Sequence, residues 1–73
     1  MQNTNWEDKA KNLLKSEMKK KGLTYRQLKN MIEANSIHYD EQAIINKVNR
    51  GKFSFAFFLL CMSAMNIKKI HLE

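Results

Sequence analysis

The chain has no proline and only two glycines, Gly22 and Gly51. Proline and glycine are the residues that most readily interrupt a helix, so this sequence reads as helices punctuated by little else. Both glycines follow cations: Lys19, Lys20 and Lys21 precede Gly22, and Arg50 precedes Gly51. Cations suit the bare carbonyls of a helix's last turn, and glycine takes the left-handed position just beyond it. The expected architecture is therefore all-α. A chain of 73 residues buries only about 60% of the surface it exposes when unfolded. It can form one domain with one small core, and its stability must come from good helix packing, a partner or oligomerisation.

Four helices can be placed by pattern. Asn5 caps the first, with Glu7 and Asp8 in its opening turn. Trp6, Ala10, Leu13, Leu14 and Met18 form its apolar stripe. Thr24 and Gln27 read as a capping box opening a second helix over residues 25–34, with Leu28, Met31 and Ile32 inward. Asp40 caps a third helix that runs to Arg50, with Ile44, Ile45 and Val48 as its apolar side. Ser54 caps a fourth over residues 55–65. The tail from Ile67 to Glu73 fits either a helix end or a short strand. Residues 1–4 are polar and read as a flexible N-terminus ahead of a single domain over 5–73.

Lys and Arg number 13 against 7 Asp and Glu, a net charge of +6. That excess favours a polyanionic partner, with nucleic acid ahead of a membrane surface. The longest apolar run, near Phe55–Met62, falls far short of the roughly 18 residues that a membrane span needs. No secretion signal is evident, and the lone Cys61 has no partner for an intramolecular disulfide. A reduced, cytoplasmic setting is expected.

The search for catalytic chemistry finds little. His38, Cys61 and His71 lack metal-ligand spacing, and neither glycine belongs to a phosphate-cradling loop. Cys61 lies in the apolar run Leu59-Leu60-Cys61-Met62 and reads as a buried structural thiol. The chain is expected not to be an enzyme and to need no cofactor or small-molecule substrate.

The second and third helices carry more information. Two capped helices joined by a short connection are the layout of a helix-turn-helix, whose second helix enters the major groove. With Ile44, Ile45 and Val48 inward, the third helix turns Gln42, Asn46 and Asn49 outward. Glutamine and asparagine can make paired hydrogen bonds to adenine, so these three are the candidate base readers. Thr24, Tyr25, Arg26 and Gln27 at one helix start, and Lys47, Arg50 and Lys52 at the other helix's end, are the candidate phosphate contacts. Asp40 and Glu41 work against this, since they place carboxylates where a recognition helix approaches DNA. Residues 35–51 are neutral overall, and the positive charge lies around them.

The stretches Gly22-Leu23-Thr24-Tyr25-Arg26-Gln27-Leu28 and Ile44-Ile45-Asn46-Lys47-Val48-Asn49-Arg50-Gly51-Lys52 resemble the lambda-repressor-like (Cro/C1-type) helix-turn-helix family. That family shows a Thr-capped helix and, later, paired apolar positions ahead of Gly-Lys. Trp6 to Lys11, Asn46 to Ser54 and Phe57-Phe58-Leu59 look more closely like a family of small uncharacterised bacterial domains with the same layout. This second resemblance covers residues 5–66. The first resemblance implies a compact four- to five-helix repressor-like domain that binds duplex DNA in transcriptional control, often as a dimer.

The fourth helix is apolar on more than one face. Phe55, Phe58, Leu59, Met62 and Met65 form one stripe. Phe57, Leu60, Cys61 and Ala64 form another, and with Ile67 and Ile70 of the tail they are the expected homodimer interface. The alternative in which the first helix covers this surface rests on Trp6 and Leu14. The functional expectation is a small DNA-binding regulator. The alternative is a protein-interaction module on the same scaffold without DNA binding.

Overall fold

Each helix begins at a side chain that caps it. In the computed structural model, which describes residues 5–72, Asn5 Oδ1 accepts the backbone N–H groups of Glu7 (3.0 Å) and Asp8 (3.2 Å). It opens α1, Trp6–Lys21. Thr24 Oγ1 accepts the Gln27 N–H at 3.1 Å and Gln27 Oε1 accepts the Thr24 N–H at 2.8 Å. This reciprocal box opens α2, Tyr25–Glu33. Asp40 opens α3, Glu41–Arg50, and Ser54 opens α4, Phe55–Ala64. Gly22 and Gly51 both take the left-handed conformation, φ +66 and +69, and end α1 and α3 as their positions imply. The expected flexibility of residues 1–4 concerns residues outside those described.

The core is built from Leu14 and Met18 of α1, Leu28 and Ile32 of α2, Ile44 and Val48 of α3, and Phe57, Phe58, Cys61, Met62 and the following Met65 around α4. Tertiary packing joins α1 to α3, α2 to α3 and α2 to α4. The described residues form four helices without a strand, and residues 67–72 have no regular structure. No helix is long and apolar enough to cross a membrane among the described residues.

Three expectations change. Met31 of α2, expected inward, is 36% exposed. Trp6 is not part of the inward stripe of α1; it is 73% exposed. In α4 each apolar stripe is split: Phe58, Met62 and Met65 of the first are buried as expected, but two residues of each stripe change place. Phe57 and Cys61, expected at a dimer interface, are buried within one chain, whereas Phe55 and Leu59, expected inside, are exposed. A helix that is apolar all round gives periodicity no inward direction to find. What settles it is tertiary. The Phe57 and Tyr39 rings meet edge to face with centres 5.6 Å apart, and the Phe57 and Phe53 ring centres lie 5.7 Å apart, so the connections on either side of α3, with α2, hold this face of α4 inward.

Candidate nucleic-acid interface

Along α3, Ile44 and Val48 are fully buried while Gln42, Asn46 and Asn49 are exposed. The three amides stand at i, i+4 and i+7, which places them on one helix face over about 10 Å. That length matches three base-pair steps of about 3.4 Å. Gln42 Nε2 donates to Asn46 Oδ1 at 3.1 Å. The bond uses neither the Gln42 carbonyl oxygen nor the Asn46 amino group, both on exposed residues. One acceptor beside one donor is the complement of adenine's N6 amino group and N7.

The two carboxylates at the start of α3 are both engaged locally. Asp40 Oδ2 accepts the N–H groups of Gln42 (3.1 Å) and Ala43 (3.3 Å), so its charge sits against the positive end of its own helix. Glu41 Oε1 accepts from Arg26 Nε at 3.1 Å. This pair bridges the start of α2 to the start of α3, and sequence pattern could not have found it because the residues lie 15 positions apart.

The pair also changes the expected phosphate set. Thr24 and Gln27 spend their side chains on capping, Tyr25 is half-buried, and Arg26 is held by Glu41. The start of α2 is thus a weaker clamp than expected. Lys47, Arg50 and Lys52 are exposed at the far end of α3. Lys47 Nζ lies 5.7 Å from the centre of the Phe57 ring, and Lys52 Nζ lies 3.9 Å from Glu7 Oε2. Three cations therefore flank one end of a polar face whose acidic end is internally compensated.

The other expected positions divide differently. Of the six residues assigned to a dimer interface, Phe57 and Cys61 are core. Leu60, Ala64 and Ile67 are half-buried against that core, and only Ile70 is exposed. Burial pushes the Cys61 thiol up to about 12, far from the thiolate that nucleophilic chemistry needs. His38 Nδ1 lies 2.9 Å from Glu33 Oε2, and Lys29 Nζ lies 3.1 Å from Glu33 Oε1. The Lys29 hydrogen bond, more than the nearby His38, holds the Glu33 carboxyl below its ordinary range.

The family model described as Domain of unknown function (DUF6471) matches residues 6–70. Comparison with curated proteins and with solved structures returns no match.

Proposed function

The chain belongs to this family, and from the α3 face we propose that it is a duplex-DNA-binding domain of the lambda-repressor-like helix-turn-helix type, acting in transcriptional control. The observation that carries the reading is the exposed row of Gln42, Asn46 and Asn49 opposite buried Ile44 and Val48, with Lys47, Arg50 and Lys52 beside it. Phosphate contacts would fix the domain on the duplex and the amides would read base edges in the major groove. The net charge of +6 supplies the long-range attraction.

Salt separates this reading from its rival. Fluorescence anisotropy with a labelled duplex should show affinity that falls as salt rises. Each lost phosphate contact lowers the log–log slope by about 0.9, so Lys47/Arg50/Lys52→Ala should flatten it by about 2.7. A duplex left unbound even at about 50 mM salt, where electrostatic binding is strong, would end the reading in favour of a protein-interaction module.

A further inference from the structure

α1 packs on α3 and α4 packs on α2, and between α1 and α4 there is an open groove of about 880 Å³. Trp6 and Leu13 of α1, Phe55 and Phe58 of α4, and Ile70 and Leu72 of the tail supply its apolar surface. Three of these stand out into solvent: Trp6 is 73% exposed, Phe55 71% and Leu72 80%. Contiguous apolar surface of this kind marks a contact site. We infer that this groove is the seat of a second copy of the same chain, in a twofold dimer that leaves α3 free.

Charge selects the occupant. The charged residues lining the groove are Lys9, Lys20 and Glu17. Lys20 Nζ lies 3.5 Å from Glu17 Oε2, and Lys9 Nζ lies 5.2 Å from the centre of the Trp6 ring. On a chain of +6 this lining nets only +1, with Lys20 paired to Glu17 and the single remaining charge of Lys9 beside the Trp6 ring. It offers little to an acidic peptide or a single-stranded nucleic acid, both of which need unpaired positive charge, and it suits an apolar partner.

Area and shape point the same way. Trp6 and Phe55 alone expose about 300 Å², taking roughly 200 Å² per aromatic side chain. That is more than a third of the about 800 Å² that each partner gives to a standard interface. The groove also carries both a hollow and protruding rings. A twofold contact pairs the same patch on both copies, so protrusions and hollow can serve each other. None of Gln42, Asn46, Asn49, Lys47, Arg50 or Lys52 lines the groove. Dimerisation there does not rest on the DNA-binding reading, and it is tested without DNA.

Trp6 is the single tryptophan, so its emission reports the groove directly. Sedimentation equilibrium of the whole chain, from low micromolar to sub-millimolar concentration, should show mass rising from one chain to two. Trp6 emission should shift to the blue over the same range. Added salt should tighten the dimer by screening repulsion between two +6 chains. Phe55→Ser and Leu72→Ser, at exposed positions, should keep the helical circular dichroism of the parent and weaken association at least tenfold. A single-chain mass throughout overturns the inference, as does a dimer that both variants leave intact or one that salt dissolves. A single chain whose Trp6 emission moves only on adding polyglutamate or oligodeoxythymidine also overturns it and assigns the groove to an anion.

Discussion

The backbone of Gly51 rests directly on the carbonyl group of Glu7, so that a Cβ at position 51 would collide with that carbonyl. The end of α3 is thereby fitted against the first turn of α1. Gly22, with nearly the same left-handed φ, has open space where its Cβ would be. The two glycines separate conformational cost from steric cost. Gly22→Ala should lose about 1–2 kcal/mol, the price of a left-handed alanine. Gly51→Ala carries that cost plus overpacking of about 1–3 kcal/mol. Urea denaturation of the two variants tests this, and equal losses would show that α1 and α3 are not in close backbone contact at Gly51.

That contact also marks where sequence reading stops. Both glycines were legible as helix ends because the signal is local: cations, then a residue free to turn left-handed. The four caps and the inward faces of α2 and α3 were legible for the same reason, Leu28 with Ile32 and Ile44 with Val48 repeating at helical spacing. The approach of Gly51 to Glu7, the Arg26–Glu41 pair and the orientation of α4 each depend on which helix lies beside which. In α4, Phe57 and Phe55 are chemically alike, and what distinguishes them is tertiary: Phe57 packs on Tyr39 and Phe53 within the core while Phe55 stays exposed. The amide row of α3 was found because its opposite face is unambiguous. The groove is not legible, because spacing alone places Trp6 inward whereas it stands exposed.

Cys61 makes the fold sensitive to alkali. Unfolded, its thiol ionises near the ordinary 9.0; folded, burial raises this to about 12. Between these values the unfolded chain gives up a proton that the folded chain keeps. Stability should therefore be fully present below pH 9.0 and fall by about 1.4 kcal/mol per pH unit above it. Tyr25, whose phenol is also raised by burial, adds to the loss above 10.0. Cys61→Ala should flatten the slope that begins near 9.0 and leave the part due to Tyr25. At neutral pH a thiol reagent should react with the native chain only as fast as it opens. Immediate labelling of the folded protein would contradict the burial of Cys61.

Acid should loosen the end of α2. The Glu33 carboxyl lies below its ordinary 4.5, held there first by the hydrogen bond from Lys29 and then by His38. A carboxyl with a depressed folded value stabilises the fold above its unfolded value, and that contribution disappears as pH falls through the folded one. Glu33→Gln should remove this part of the acid limb of the stability profile. Lys29→Met should reduce it more than His38→Ala, since Lys29 is the larger cause. Stability measured by chemical denaturation from neutral pH downward gives the ranking, and a larger effect of His38→Ala would reverse the assignment.

The start of α3 offers the sharpest test of how this domain would meet a phosphate backbone. Asp40 and Glu41 each bring a negative charge, but only Asp40 holds the helix end, through its bonds to the Gln42 and Ala43 N–H groups. Asp40→Asn keeps a capping oxygen and should change stability by a few tenths of a kcal/mol, whereas Asp40→Ala should lose about 1 kcal/mol. Glu41→Gln removes the charge of an exposed pair with Arg26 and keeps only a neutral acceptor, for which the stability cost is about 0–1 kcal/mol. It also leaves the Arg26 guanidinium without an anionic partner. If α3 lies in the major groove, this Arg26 gains a phosphate, so affinity for duplex should rise and the salt slope should steepen by about 0.9. Asp40→Asn should raise affinity without that steepening, because it removes a repulsion and releases no cation. Titrations of both variants across a salt series distinguish the two. A Glu41→Gln domain whose salt slope matches the parent would place Arg26 away from the phosphate backbone and leave Lys47, Arg50 and Lys52 to carry the contact alone.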